Sequence, residues 1–167
     1  MSLFSKKNAT LEDLPRIVEI YNSTIAGRMV TADLIPVTVE SRVDWFHQHH
    51  DTRPLWSFFN EKGEMVGWLS FEDFHVRAAY RKTVELSIYI DEKYRGQGLG
   101  STLLMEAIQA GSTLNIENFV GLIFSHNIPS VNLFTRFGFD QWGHLPQVAE
   151  LDGVKRDLFI MGKHIGK

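Results

Sequence analysis

The sequence contains no cysteine, so neither a disulfide framework nor a thiol nucleophile is available to it. No apolar run approaches the roughly 18 residues that a membrane-spanning helix needs. The 17 basic and 20 acidic residues give a formal net charge of −3, which argues against a nucleic-acid backbone as the main partner. The short polar stretch over residues 1–8 lacks the apolar segment of a signal peptide. We therefore expect a cytoplasmic protein with no membrane or nucleic-acid partner.

The composition is ordinary for a globular protein, with 44% hydrophobic and 22% charged residues. A chain of 167 residues is long enough to bury a core without disulfides or metals. We predict a single domain over residues 1–167, with its core from about residue 8 to about residue 163.

The apolar pattern predicts, in order, two helices, three strands, a helix, a strand, a helix and two strands. This order implies a mixed sheet with helices on its faces. The irregular segment between the first two helices, residues 28–37, is a loop that could overhang a ligand. The predicted strands cover residues 55–59, 65–74, 84–90, 119–124, 139–148 and 154–161, and the helices begin near Thr10, Thr38, Leu99 and Val131.

The most informative stretch runs from Val84 to Leu104. Aliphatic residues alternate with polar ones over Val84–Ile90, as in a half-buried strand, and a helix pattern begins at Leu99. Between them lies the sequence R-G-Q-G-L-G, residues 95–100. Glycines let a backbone approach a ligand closely, and the free N–H groups of a first helical turn attract phosphate. The pattern therefore predicts an anion site, while a tight turn without a ligand is the alternative.

The spacing of this loop excludes two common phosphate sites. The dinucleotide fingerprint G-x-G-x-x-G has a different last interval, and a P-loop needs a lysine that is missing here. Read as Arg95-x-x-Gly98-x-Gly100, the loop resembles the pyrophosphate loop of the GNAT N-acetyltransferase superfamily, which binds acetyl-CoA.

A second motif, N-x-x-S-x-x-L-F-x-x-x-G-F from Asn127 to Phe139, is similar to a GNAT pattern whose Asn and Ser lie near the pantetheine and thiol. Residues 20–22, 40–46 and 77–85 resemble the phosphinothricin acetyltransferase-like branch. The resemblance implies the α/β (α+β) GNAT acyl-CoA N-acyltransferase fold, in which a central mixed sheet splays between two strands and helices flank it. It also implies acetyl-CoA in that cleft, and a homodimer.

The resemblance further assigns contacts to acetyl-CoA as co-substrate. A bulge in the central strand, usual in the family, would free backbone N–H groups for the acetyl carbonyl oxygen. No metal is implied, and the histidines at positions 47, 49 and 50 lack the pattern of a metal site. The predicted cofactor-binding residues are Ile88, Tyr89, Ile90, Arg95, Gly96, Gln97, Gly98, Leu99, Gly100, Ser101, Asn127 and Ser130.

Glu85 is the predicted catalytic base. Acetyl transfer to an amine requires that the ammonium group lose a proton before it attacks. Glu85 is an acid on an otherwise aliphatic strand, where the branch carries a glutamate, and partial burial would raise its pKa. The alternative is a glutamate at a strand edge that pairs with Arg81 or Lys82.

Phe134 departs from the family pattern. Many members have a tyrosine at this position, which protonates the departing thiolate, and the branch usually has a histidine there. Phenylalanine cannot donate a proton. Either water or another group takes that role, or the activity is weak.

The predicted substrate residues are Arg77, Tyr80 and Arg81, because the branch recognises an acidic amino-acid analogue there and arginine binds such groups in a fork. A solvated basic loop is the alternative, and Arg28 and Arg53 are weaker candidates. The predicted function is acetyl transfer to the primary amine of a small molecule, such as an amino acid, phosphinothricin or methionine sulfoximine. Acetylation of a protein or peptide N-terminus and a catalytically silent acyl-CoA-binding module are the alternatives.

Overall fold

The structure, a computed structural model, describes residues 3–166. A seven-stranded sheet in the order β1-β2-β3-β4-β5-β7-β6 organises this part of the chain. Its strands are β1 (Ser5–Asn8), β2 (Leu55–Phe59), β3 (Met65–Asp73), β4 (Thr83–Ile90), β5 (Asn118–Phe124), β6 (Asp140–Leu151) and β7 (Val154–His164). The α-helices are α1 (Leu14–Ser23), α2 (Val43–His47), α3 (Leu99–Ala110) and α4 (Ile128–Arg136).

The sheet is mixed, as predicted. β4 and β5 run parallel, and the other neighbouring strands pair antiparallel. Two apolar cores cover its faces, one beneath α3 and α4 and the other beneath α1 and α2. Leu103 and Phe119 are fully buried in the first core, and Ile17 and Trp68 are buried in the second. The predicted fold class is therefore confirmed.

β1 was not predicted. Its sequence, S-K-K-N, is exposed and has no apolar alternation, so backbone pairing with β2 defines the strand. The ammonium group of Lys6 lies 4.6 Å from the centre of the Trp56 ring, which gives this polar strand a side-chain contact with the sheet.

The helix boundaries differ from the prediction at three places. A 3-10 turn over Leu11–Asp13 precedes α1, and α2 is only five residues long. α4 begins at Ile128 rather than Val131, because the Asn127 side chain accepts the Ser130 N–H and caps the helix. No helix among residues 3–166 is long and apolar enough to cross a membrane.

Candidate active site

The central feature of the sheet is the separation of β4 from β5. The two strands pair only between residues 83–85 and residues 118–120, after which they diverge. The gap opens into a cavity of about 640 Å³, bounded by β4, β5 and the first turns of α3 and α4. Because the gap passes through the sheet, the cavity reaches from the α3 layer to the α1 layer. This is the predicted splayed sheet.

The glycine-rich loop lies at one end of this cavity. Gly96 and Gly98 have φ angles of 76° and 78°, which residues with a Cβ rarely adopt. Gly98 is the N-cap of α3, and its carbonyl accepts the Thr102 N–H at 3.2 Å. The N–H groups of the first turn of α3 therefore have no partner within the helix. With Arg95 beside them, these groups supply the hydrogen-bond donors and the positive charge that an anion site needs.

Most of the predicted cofactor-binding residues meet at the cavity. Gln97 and Ser101 are the exceptions, and the Ser101 hydroxyl instead accepts a long hydrogen bond of 3.5 Å from Arg136. The predicted residues that line the cavity are Ile88, Tyr89, Ile90, Arg95, Gly96, Gly98, Leu99, Gly100, Asn127 and Ser130.

The prediction of a bulge in β4 was wrong. The register between β3 and β4 is continuous along β4. The N–H of Asp91 donates to the Val66 carbonyl at 3.0 Å, so the odd-numbered residues of β4 hydrogen-bond to β3. The N–H groups of Ile88 and Ile90 therefore point to the other side, from which β5 has departed. The divergence of β5, rather than a bulge, leaves donors facing the cavity.

Glu85 lies where β4 and β5 part, and its half-buried side chain lines the cavity. Burial raises the pKa of Glu85, and the charge of Glu72, directly opposite on β3, raises that pKa further. Among residues 3–166, no ion pair joins Glu85 to Arg81 or Lys82; Lys82 pairs with Glu117 at 2.9 Å. Glu85 thus has the environment that a general base needs.

Phe134 lies in the cavity wall where the family usually has a proton donor. Its ring is buried, with its centre 4.9 Å from that of Phe139. Gly121 of β5 makes room for it, since a Cβ added at that glycine would lie 2.9 Å from the Phe134 ring. The aromatic ring therefore fills this position by packing and offers no acidic group.

The predicted overhanging loop covers the cavity on the α1 side, where residues 29–32 line it. The Tyr21 hydroxyl hydrogen-bonds to Thr31 at 2.5 Å. The Arg28 side chain binds Asp152, in the turn between β6 and β7, at 2.8 Å. The Arg28 carbonyl lies 2.8 Å from Nε2 of His126. These contacts tie the loop to α1, to the β6–β7 turn and to the segment after β5, which gives Arg28 a structural explanation.

The three predicted substrate residues, Arg77, Tyr80 and Arg81, lie in the exposed connection between β3 and β4 and do not line the cavity. The Tyr80 ring packs against Phe74, with ring centres 5.9 Å apart. Arg53 is buried and binds Asp73 at 2.7 Å, so its guanidinium group is engaged by the fold.

Sequence reasoning missed several residues of the site. Glu72 and Ser70 lie on the same face of β3, as strand periodicity predicts. That Glu72 lies opposite Glu85, however, can be known only from the register between β3 and β4. Val148, Ala149 and Leu158 of the β6–β7 hairpin also line the cavity. Their contribution depends on how that hairpin folds back over β5, and no local pattern in the sequence records this.

The site is a cleft in a splayed mixed sheet, with a glycine-rich helix N-terminus and the carboxyl group of Glu85 in its lining. The chain belongs to the Acetyltransferase (GNAT) family, whose model matches residues 17–139. The predicted family and the predicted acetyltransferase activity are thus confirmed.

Within this family, the chain is similar to acetyltransferases named for amino-acid analogues. The chain is 51% identical over 153 residues to YwnH of Bacillus subtilis, to which phosphinothricin acetyltransferase activity is provisionally assigned; the match covers 92% of this chain and 94% of that protein. It is 33% identical over 162 residues to an L-methionine sulfoximine/L-methionine sulfone acetyltransferase of Pseudomonas aeruginosa. This match covers 94% of this chain and 92% of that protein. The structure of a phosphinothricin acetyltransferase from Sinorhizobium meliloti, solved with acetyl-CoA, superposes on this chain with a TM-score of 0.92 at 25% identity. The superposition covers 99% of this chain and 90% of that one.

Proposed function

We propose that this N-acetyltransferase transfers the acetyl group of acetyl-CoA to the primary amine of an amino acid or a close analogue, such as methionine sulfoximine or phosphinothricin. The observation that carries the proposal is Glu85, a half-buried carboxyl with a raised pKa at the point where the cavity passes through the sheet. Relatives named for such substrates match nearly the whole chain, which supports the choice of acceptor.

The residues at the cavity fit acetyl-CoA. Arg95 and the first turn of α3 would hold its pyrophosphate. Asn127 and Ser130, at the start of α4, line the same cavity and would lie against the pantetheine chain. The N–H groups of Ile88 and Ile90 would donate to the carbonyl oxygen as it gains charge.

The chemistry follows from these positions. The acceptor ammonium gives a proton to Glu85, and its nitrogen then attacks the carbonyl carbon while the β4 N–H groups stabilise the oxyanion. The carbon–sulfur bond breaks and a thiolate leaves, and the nitrogen, which became positively charged on attack, loses its second proton to water. Phe134 supplies no proton, but a thiol with an ordinary pKa of about 8.5 is a good leaving group without one.

The acid group of the acceptor needs a cation. Arg95 is the cationic residue among the described residues that line the cavity, and it lies at the phosphate end. Arg77 and Arg81 make no ion pair within residues 3–166 and directly precede β4. Since neither they nor Tyr80 lines the cavity, their assignment to the carboxylate or phosphinate of the acceptor stays a prediction.

A thiol-release assay with acetyl-CoA tests the proposed function. The acceptors are methionine sulfoximine, phosphinothricin, free amino acids and short peptides. Release with an amino acid or its analogue supports the proposal. Release with peptides alone would identify an N-terminal acetyltransferase, and acetyl-CoA binding without release would identify a silent module; either result contradicts the proposal.

The role of Glu85 is tested by Glu85→Gln. The variant is expected to lose about 100-fold or more in kcat/KM, because it cannot accept the proton, while calorimetry shows acetyl-CoA binding like that of wild type. Glu117→Gln, on the surface, is the matched control. A Glu85→Gln protein that turns over like wild type would remove Glu85 as the base.

We further propose a homodimer. Leu122, Leu145, Leu158 and Ile160 occupy neighbouring register positions on β5, β7 and β6 and share the sheet face that no described helix covers beyond β4. Leu122 is 43% and Leu145 37% exposed. Leu145→Asp is expected to yield a monomer in light scattering, whereas Val76→Asp, at a site away from this face, is not. The cytoplasmic location stays a prediction.

A further inference from the structure

Two carboxylates face each other across the central strands. Glu72 on β3 lies directly opposite Glu85 on β4, and such paired residues place their side chains on one face roughly 5 Å apart. Like charges in this arrangement repel, and both side chains are half-buried. The pair therefore costs stability, and its presence calls for a physical reason.

No cation neutralises Glu72 within residues 3–166. The nearby basic side chains are engaged elsewhere, since Arg53 pairs with Asp73 at 2.7 Å and Lys82 with Glu117 at 2.9 Å. The polar contact of Glu72 is the Ser70 hydroxyl, at a long 3.4 Å. Its charge accordingly acts on Glu85 and raises the pKa of that carboxyl, in addition to burial.

His49, just after α2, completes the arrangement. Its Nδ1 lies 3.0 Å from the Trp45 carbonyl and 3.2 Å from the Phe46 carbonyl, so Nδ1 carries the proton. Its Nε2 lies 2.7 Å from the Ser70 hydroxyl, which therefore donates its single proton to the neutral ring.

Burial lowers the pKa of His49 and keeps the ring neutral, against the charge of Glu72. The neighbouring His50 also lowers the pKa of His49. The ring thus anchors Ser70 without placing a positive charge beside Glu72.

We propose that Glu72 is a positioning residue that acts through Glu85, its uncompensated charge making Glu85 a stronger base, and that His49 and Ser70 hold this arrangement without neutralising it. A carboxylate of ordinary strength is a weak acceptor for the proton of an ammonium group, and a stronger base is better matched to that task. The proposal rests on the proposed role of Glu85, but the coupling is measurable without turnover.

The test is a carboxyl ¹³C NMR titration of glutamate-labelled protein, with the Glu85 signal assigned from Glu85→Gln. Glu72→Gln is expected to lower the proton affinity of Glu85 about threefold or more, because a negative charge is removed. His49→Lys is expected to act in the same direction by adding a cation. His49→Gln, which is neutral and can accept the Ser70 proton, is expected to match wild type. Glu106→Gln, on α3, is the surface control.

An unchanged Glu85 titration in Glu72→Gln would overturn the proposal, and so would a shift in His49→Gln as large as that in His49→Lys. If Glu72→Gln does not fold, Glu72→Ala, which also removes the charge, takes its place. In Glu72→Gln, the acid limb of the kcat/KM profile should move to lower pH by as much as the Glu85 titration measured by NMR. An enzyme inactive on every amine would contradict the proposed function, and the NMR titration would still decide the coupling.

Discussion

Arg16 on α1 and Asp91 at the end of β4 form an ion pair of 2.7 Å that ties the glycine-rich loop to the helix layer. The same guanidinium group binds the Met65 carbonyl at 2.8 Å. Burial alone would raise the pKa of Asp91, but the Lys93 N–H and Arg16 hold this pKa below its ordinary value. Asp91 stays ionised and fixes the point at which the loop leaves the sheet.

Arg16→Met should raise KM for acetyl-CoA about fivefold or more and change kcat much less, because the loop loses its preorganised position while the reacting groups stay in place. Steady-state kinetics with acetyl-CoA as the varied substrate measures the separate effects on KM and kcat. Lys7→Met, which removes the long ion pair of the exposed Lys7 with Asp13 at 3.7 Å, is the control and should have little effect. An equal loss in kcat and kcat/KM would contradict this role.

The loop itself was predictable because its signals are local: a strand, glycines at fixed spacing and a helix follow one another along the chain. The Arg16–Asp91 pair was not, since its members are 75 residues apart and only strand pairing brings them together. The same limit hid Glu72, whose relation to Glu85 is a matter of register between two strands.

The wrong bulge has an instructive cause. Free N–H groups on β4 were expected to need a local distortion of the strand, but they arise because β5 diverges from a regular strand. Divergence is a property of two strands and leaves no mark in the sequence of either one. β1 escaped prediction for a different reason: its exposed polar residues have no apolar alternation, and backbone pairing with β2 defines the strand.

Glu85 is expected to cost stability at neutral pH. Its pKa in the folded protein is raised, so the native state keeps the proton to higher pH than the unfolded chain does. The stability from this group is fully present below its ordinary pKa of 4.5 and is lost as pH rises through the folded value. Glu85→Gln should therefore raise the melting temperature at pH 8, by on the order of 2 °C, but not at pH 4.

Asp152→Asn provides a comparison of opposite sign. The Arg28 hydrogen bond lowers the pKa of Asp152, so this carboxylate contributes stability above its ordinary pKa and loses it as pH falls through the folded value. Its substitution should lower the melting temperature at pH 8. Calorimetric melting curves of both variants between pH 4 and pH 8 measure the sign of each change in melting temperature. A Glu85→Gln gain that is equal at pH 4 and pH 8 would disprove the raised pKa of Glu85.

Gly121 and Phe134 should be strongly coupled. An alanine Cβ at position 121 would lie 2.9 Å from the Phe134 ring, so Gly121→Ala is expected to cost about 1 to 3 kcal/mol of unfolding free energy. In a Phe134→Leu background the cost should fall by about 0.5 kcal/mol or more, since the smaller side chain can yield. Urea unfolding of the four proteins measures the coupling.

Gly27→Ala is the control for that cycle. The nearest atom to its added Cβ is the Thr24 carbonyl oxygen at 3.9 Å, so this substitution should change stability little. Additive costs at positions 121 and 134 would show that the ring moves aside freely.

Phe134 leaves the departing thiolate without a titrating acid, so kcat of the wild-type enzyme should stay level on the alkaline side of its pH profile. Phe134→Tyr would place a phenol, with an ordinary pKa of about 10, in the cavity wall. If that phenol takes over protonation of the thiolate, kcat should rise at neutral pH and fall about threefold or more as the phenol ionises. Phe137→Tyr, outside the cavity lining, should leave the profile level. An alkaline decline already present in wild type would mean that another group acts as the acid.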